Sequence, residues 1–444
     1  MKIWELEKDK DELVALLNEV RFKRKEEVRK EVLEIKKRVE KEKERALIEL
    51  SKRFDGWDRE YSLKLTVEEI RDSLRKVKEE DILLLKRMAQ RVRAYHEDKK
   101  NDRRLFRRKG LLVEEDYVAI EKLLIYAPGG KASYPSSLIM AAVPALIAGV
   151  KEIYVTSPAP KGEVNPYLCA AAEVLGITNV YRVGGAQAIF AFALGLGEIP
   201  KVDMIVGPGN AYVEEAKREC FGLVGLDTIA GPSELLILVK EPVFPDLVAK
   251  DMLSQAEHDE MALVWLLCRD RRYIEEVISH LSSYSQRAQR KDIIEKVLER
   301  NAFFVHYASE ERAIETINRI APEHLEVIGD VNVEKILYPG IIYLGITTPT
   351  ALGDYYIGTN HILPTGGSGR FLGGLSVETF KRKRVMVKCD LDFILKHGKH
   401  AERLAEIEGL ECHKEAIRAR KERRDEIKDW VSKREPSRTD PKTL

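Results

Sequence analysis

Hydrophobic and polar positions change rhythm along this chain, and each change predicts a different kind of structure. From about Val20 to Phe54, Lys, Arg and Glu are dense while apolar residues recur at helical spacing (Val28, Val32, Ile35, Val39, Ala46, Leu47, Leu50). That pattern predicts long helices with one buried stripe and a solvated, charged surface. Between Leu123 and Val239 the period shortens to brief apolar runs, each ended by Gly or Pro and followed by a helical pattern. Leu123–Tyr126, Ile153–Val155, Val180–Val183 and Met204–Val206 are the predicted strands. Ser136–Ile147, Pro166–Leu175, Ala186–Leu194 and Ala211–Cys220 are the helices between them. Such alternation predicts a parallel sheet covered by helices.

A second stretch of the same kind begins near Leu235–Val239, with a helix over Asp246–His258, a strand at Leu263–Leu267 and a helix at Tyr273–Tyr284. It runs to the loop Gly366–Gly369. Beyond Asp390 the chain is helical and charged, and it ends in a frayed tail around 434–438. No repeat of fixed period is evident. The fold class is therefore α/β: two Rossmann-like parallel-sheet domains with N- and C-terminal helical segments.

Composition narrows the partners. At 444 residues and 44% hydrophobic content the chain buries a sizeable core and divides into two or more units. Lys and Arg are matched by Asp and Glu to a net charge of +1, so no global field draws polyanions, and nucleic acid is not expected. The five cysteines are widely spaced with no CxxC pair, which argues against a disulfide framework and a thiolate zinc site, and fits a reducing cytoplasm. The N-terminus lacks the apolar run of a signal peptide. The apolar stretch Leu138–Val150 carries Pro144 and falls short of the roughly 20 residues of a membrane span. A soluble protein is expected.

Candidate chemistry lies mostly on the C-terminal side. Gln255 and His258, three apart in a predicted helix, project from one face and can share a ligand, although a surface or capping role suits the pair taken alone. Asp354, beside Gly353 and close to Gly358, is read as a loop carboxylate, and a plain turn residue is its alternative. His413 follows Glu408-Gly409-Leu410 in charged helix and by itself reads as surface. Together, two imidazoles, a carboxylate and an amide oxygen suit a borderline cation such as zinc. Glu323 and His324, adjacent after Pro322 where a helix enters a strand, supply two proton acceptors of different strength at one place; the alternative is a helix-end salt bridge. Gly184-Gly185 and Gly207-Pro208-Gly209, each between a strand and a helix, can turn backbone N–H groups toward a phosphate, without forming a GxGxxG fingerprint.

Taken in order, Tyr126-Ala127-Pro128-Gly129-Gly130, Val183-Gly184-Gly185-Ala186-Gln187-Ala188, Gly207-Pro208-Gly209-Asn210-Ala211-Tyr212-Val213, Ala230-Gly231-Pro232-Ser233-Glu234, Ser254-Gln255-Ala256-Glu257-His258, Ala321-Pro322-Glu323-His324-Leu325-Glu326 and Gly358-Thr359-Asn360-His361 resemble the histidinol dehydrogenases. The likeness covers about Lys52 to His413. It implies NAD-dependent oxidation of L-histidinol through the aldehyde to L-histidine, the last steps of histidine biosynthesis. It also implies a homodimer in which zinc is held by Gln255, His258 and Asp354 with His413 of the partner subunit. Glu323 and His324 would be the proton acceptors, His324 for the alcohol and Glu323 for the water that adds to the aldehyde. Ser233, His361 and Glu408 match substrate contacts, alongside Gln255, His258, His324, Asp354 and His413. Tyr126, Gln187 and Asn210 match NAD contacts.

On this reading the chain divides into a helical segment over 1–24, a first α/β domain over 25–125 and 235–378 with metal and catalytic residues, an NAD-binding α/β domain over 126–234, and a helical segment over 379–444 that reaches the partner. Loose similarity in the first hundred residues and extra glycine near 370–374 are departures that bear on substrate range. Three other readings compete: a zinc and NAD dehydrogenase of a different small alcohol, such as a sulfonated diol; a silent paralogue that binds nucleotide or scaffolds; and a zinc hydrolase. His361 with Glu408 speaks against the first, Glu323 with His324 against the second, and the absence of HExxH against the third.

Overall fold

A computed structural model describes residues 1–22, 26–97, 103–129 and 134–434. The chain forms two compact units, Met1–Lys99 with Ala119–Phe380, and Lys100–Val118 with Lys381–Leu444. The larger unit is α/β and contains two parallel sheets. Its strands are near-continuous runs of Leu, Ile and Val because helices cover both faces, so no polar alternation is needed.

The first sheet has five strands in the order Val180–Tyr181, Glu152–Thr156, Lys122–Tyr126, Met204–Val206 and Gly225–Leu226. Every pairing is parallel. Numbered along the chain, that order is 3-2-1-4-5, so successive strands spread to either side of Lys122–Tyr126. The helix Pro135–Ala148 is apolar on nearly all sides and is sandwiched between this sheet and the helices Glu79–Glu97 and Pro166–Val174. On the other face, Val32, Val39, Ala46, Leu47 and Leu50 of Glu26–Glu42 and Glu44–Asp55 pack against Gly185–Leu194. The charged helices over 26–97 thus bury their apolar stripe on the five-stranded sheet and its helices, whereas the sequence grouped them with the other sheet. The stripe is broken at Lys43, whose φ of +51° separates the two helices.

The second sheet runs Ile3–Glu5, Ala302–His306, Leu263–Cys268, Glu234–Val239, His324–Ile328 and Ile341–Leu344, again all parallel. Setting aside the edge strand Ile3–Glu5, the order is once more 3-2-1-4-5. One face is covered by the helices Leu6–Phe22 and Glu310–Ile320. The other is covered by Pro245–Ala256, Arg271–Ser285 and Lys291–Arg300. Trp265 and Phe303 stack at 4.1 Å on neighbouring strands, filling the layer beneath the first helix pair. The initial helical segment therefore begins with a strand, a three-residue piece anchored by buried Trp4.

The smaller unit is not purely helical. Arg104–Arg108 and Leu111–Ala119 form an antiparallel hairpin, and Lys381–Cys389 lies beside the second strand. Gly110 turns the hairpin at φ +78°, where an added Cβ would meet the Asp390 carboxylate at 2.5 Å. Asp390 caps the helix Leu391–Ile407, which pairs with Glu411–Glu422 ahead of Arg424–Arg434. The predicted tail beyond Arg434 lies outside the described residues. No helix among the described residues is long and apolar enough to cross a membrane.

Candidate active site

A cavity of about 550 Å³ lies between the two sheets of the larger unit. On one side it is lined by Tyr126, Pro128 and Gly129, which follow the first strand of the five-stranded sheet, and by Pro208, Gly209 and Asn210, which follow the fourth. Those two strands are neighbours from which the chain departs in opposite directions, so their carboxyl ends leave a crevice, the usual ligand position in open α/β sheets. The opposite wall comes from the amino ends of the six-stranded sheet: Ser233 just before Glu234–Val239, and Glu323 with His324 at the start of His324–Ile328.

Glycine lets the crevice form. Gly207 has φ +103°, and a Cβ there would sit 2.3 Å from the Tyr126 carbonyl oxygen, so the two loops approach as closely as they do only without a side chain. Beneath them lies a buried ion cluster that sequence reasoning passed over. Lys217 is fully buried; its Nζ donates to the Gly207 carbonyl at 3.1 Å and forms ion pairs with Asp227 at 3.0 Å and Glu214 at 3.6 Å. The Asp227 carboxylate accepts the Gly207 N–H, and Glu214 accepts those of Gly209 and Ala230. One ammonium and two carboxylates thus tie the loop after Val206 to the loop after Leu226. Burial pushes Glu214 up to about 7, Lys217 opposing and Asp227 adding to the rise. The same carboxylates outweigh burial and raise Lys217. The available signal was a lysine and a glutamate three apart on the inner face of a helix that also carries Val213 and Ala216.

Gln255 is buried in the last turn of Pro245–Ala256. His258 lies beyond that helix, which ends earlier than the sequence predicted, but its N–H donates to the Gln255 carbonyl at 3.2 Å and keeps both side chains at the cavity. Asp354 is not a loop residue: it occupies the end of the short helix Thr350–Tyr355. Its carbonyl accepts the Nδ1–H of His361 at 2.6 Å, leaving His361 Nε2 to accept from the Ser137 hydroxyl at 3.0 Å. Gly353 is required there because a Cβ would fall 2.2 Å from the Tyr343 hydroxyl.

Glu323 is buried and accepts the backbone N–H of Glu234 at 2.9 Å. Burial raises its pKa well above the ordinary carboxylate value, and Glu234 and Asp354 add to the shift while that N–H opposes it. His324 lies 3.8 Å from Glu323, too long for a hydrogen bond, and its buried Nδ1 has no partner. Burial, with His361 and His258 nearby, pushes His324 down to about 3. The same cause takes His361 to about 4 and lowers His258. All three imidazoles are thus neutral near pH 7, with a lone pair to offer. Asp354 is pushed up to about 7 by burial and by the nearby carboxylate of Glu326.

Among the described residues no group of three or more His, Cys, Asp or Glu gathers in ligating geometry, so a metal here rests on one imidazole, one carboxylate and the Gln255 amide. That donor set fits a borderline divalent ion. The N–H groups of Gly207, Gly209, Tyr212 and Val213 are taken by Asp227, Glu214 and the Asn210 side chain, so the turn offers a dinucleotide the shape of its crevice and not free phosphate donors.

The cavity also includes His361 and Arg290, the latter half-buried and absent from the sequence reading. Two expected contacts differ. Gln187 is buried against Gly185 and does not line the cavity. Asn210 lines it, but its side-chain oxygen accepts the N–H groups of Tyr212 and Val213 as a helix cap. Tyr126 reaches Gly185, whose N–H its hydroxyl accepts at 3.1 Å. Glu408 and His413 lie in the smaller unit, Glu408 at the end of Leu391–Ile407 and His413, exposed, in the first turn of Glu411–Glu422.

The family model for histidinol dehydrogenase matches residues 19–421. The chain belongs to the histidinol dehydrogenase family. It is 39% identical over 411 residues to the histidinol dehydrogenase of Nitrosomonas europaea, covering 89% of this chain and 93% of that one. With the histidinol dehydrogenase of Geobacter metallireducens it shares 42% identity over 400 residues, covering 89% and 92%. The crystal structure of histidinol dehydrogenase from Elizabethkingia anophelis superposes with a TM-score of 0.85 at 33% identity, covering 92% of this chain and 94% of that one. Similarity to the histidinol dehydrogenases therefore extends through both sheets.

Two outcomes follow from the electrostatics. Lys217→Met leaves two buried carboxylates without their cation and lowers stability by about 3 to 5 kcal/mol, read as an earlier midpoint in guanidinium; an unchanged midpoint rejects the clamp. His324 has a folded pKa below its unfolded value, so between about 3 and 6.5 the unfolded chain holds the extra proton and His324 weakens the fold as pH drops. A His324→Asn variant of the metal-free protein therefore gains stability relative to wild type between pH 7.5 and 5. A constant difference across that range counts against a buried neutral imidazole.

Proposed function

We propose that this protein oxidises L-histidinol to L-histidine through the aldehyde, using zinc and two molecules of NAD⁺ in the cytoplasm as a homodimer. The overall change consumes one water and two NAD⁺ and releases two NADH and three protons. The observation that carries the reading is the gathering of Gln255, His258, Asp354, Glu323 and His324 around a single cavity whose other wall is a dinucleotide-type crevice. Membership of the family supports the substrate.

Gln255, His258 and Asp354 would hold zinc together with His413 from the second subunit, and the ion would supply a grip on the substrate's imidazole and amine. Ser233, His361 and the second subunit's Glu408 complete the substrate contacts in this reading. NAD⁺ would lie along Tyr126, Asn210 and the loop Gly207–Gly209 and take up two electrons in each half. Gln187, buried against Gly185 and outside the cavity lining, would reach NAD⁺ only after rotating. In domain terms the five-stranded sheet serves the dinucleotide and the six-stranded sheet serves the metal and the proton transfers.

This chain's own acid–base groups divide the labour. His324 has a free lone pair at neutral pH, so it accepts the alcohol proton. Glu323, with a raised affinity for protons, accepts one from the water that adds to the aldehyde. Positioning by the cavity wall contributes on the order of 7 kcal/mol or more to barrier lowering when both reactants are fixed.

NADH should form when L-histidinol and NAD⁺ are mixed with the protein, and a chelator should abolish it. Activity that survives full removal of metal would leave the zinc assignment without support. Glu323→Gln should slow the aldehyde half by about a hundredfold or more and the alcohol half far less; equal losses in both would remove the split of roles.

A further inference from the structure

Behind Glu323, on the side away from the cavity, lies a second buried ion pair. Arg21, near the end of the helix Leu6–Phe22, meets Glu234 with two parallel contacts, Nε to Oε1 at 2.6 Å and Nη2 to Oε2 at 2.5 Å. Their side chains are 4% and 2% exposed, so the pair is shut off from water. The third arm of the guanidinium, Nη1, donates to the Ile320 carbonyl at 2.7 Å. Ile320 ends the helix Glu310–Ile320, three residues before Glu323, and the intervening Ala321 takes a left-handed turn at φ +47°. Glu234 also accepts the backbone N–H of Gly366, next to cavity-lining Thr365.

Arg21 therefore holds two of the segments that fix Glu323. One is the turn that delivers Glu323 from its helix. The other is the first residue of the central strand, whose N–H binds the Glu323 carboxylate. A planar, forked cation is suited to this, because it satisfies a carboxylate with two donors and keeps further donors for a carbonyl.

We propose that Arg21 and Glu234 are positioning residues for Glu323: a neutral, buried pair that aims its carboxylate into the cavity and keeps a net charge from developing behind it. The proposal rests on Glu323 acting as the base of the aldehyde half. The charged and titratable groups facing Glu323 are Glu234 on the neighbouring strand, with Arg21 beyond it, His324 on its own strand and Asp354 from Thr350–Tyr355. Removing one member of the pair leaves the other unbalanced, and the two removals leave opposite charges.

The test measures NADH release from L-histidinal and from L-histidinol across pH for wild type, Glu323→Gln, Glu234→Gln and Arg21→Gln. Both pair variants should lose about tenfold or more in the aldehyde half while KM for histidinol stays near wild type. Glu234→Gln leaves a buried cation, so the acid limb of the aldehyde profile should move down. Arg21→Gln leaves a buried anion, so the limb should move up, each by about half a unit or more. Arg21→Lys should recover part of the loss. Shifts in the same direction, or equal losses in both halves, overturn the proposal. If Glu323→Gln itself slows both halves alike, the base assignment fails instead. Should Arg21→Gln not fold, the isosteric Glu234→Gln and the Arg21→Lys variant carry the comparison.

Discussion

Charge buried away from water has to be balanced in place, and the cavity walls of this protein are built around two such balances. Lys217 with Asp227 and Glu214 binds the loops at the carboxyl ends of the five-stranded sheet. Arg21 with Glu234 binds the amino ends of the six-stranded sheet. Neither is an efficient way to add stability, because desolvating the charges offsets much of their attraction. What they do is fix backbone: the partner acceptors and donors include Gly207, Gly209, Ala230, Ile320 and Gly366, in turns or at a helix end where no sheet ladder would hold them. The cavity is a place where loops from two sheets must keep one arrangement, and forked or multiply hydrogen-bonded ions supply directional contacts that apolar packing does not.

The two sheets share the strand order 3-2-1-4-5, yet they meet the cavity with opposite ends. The carboxyl ends of one present close glycine turns that shape a crevice for a ligand. The amino ends of the other present side chains at strand starts and the last turn of a helix, which suit ligation and proton transfer. A single sheet offers one of these chemistries at a given crevice. Facing two sheets end to end offers both around one substrate, and the residues concerned are spread from Tyr126 to His361 along the chain.

Much of this architecture was legible in the sequence, for a physical reason. Strands covered on both faces become unbroken apolar runs, and Leu235–Val239 or Leu263–Leu267 stand out accordingly. Ile3–Glu5 and Gly225–Leu226 are too short to show a period. The strand Lys381–Cys389 is exposed almost throughout, so charge there hides the strand. Helix ends were the other weak point. The helix carrying Gln255 stops at Ala256, and Asp354 sits in a helix of six residues where glycine had suggested a loop. The candidate residues were legible as types with suitable chemistry, and resemblance to a family grouped them. Periodicity was silent on Lys217 and Arg21 because each lies in an ordinary helix and finds its partners only in three dimensions, Glu234 being 213 residues away from Arg21.

Burial also reorders the two proposed proton acceptors. In water an imidazole outranks a carboxylate as a base by about two pKa units. Inside this cavity His324 falls to about 3 while Glu323 rises well above its usual value, so the carboxylate becomes the stronger base of the two. A neutral imidazole of such low affinity holds a proton only if the cation it becomes is stabilised. Glu323, 3.8 Å from Nε2, is the group placed to do that when ionised. In the proposed reaction His324 therefore takes the alcohol proton while Glu323 is ionised beside it, and that proton leaves His324 to solvent so that the carboxylate stays free to accept the proton of the following water.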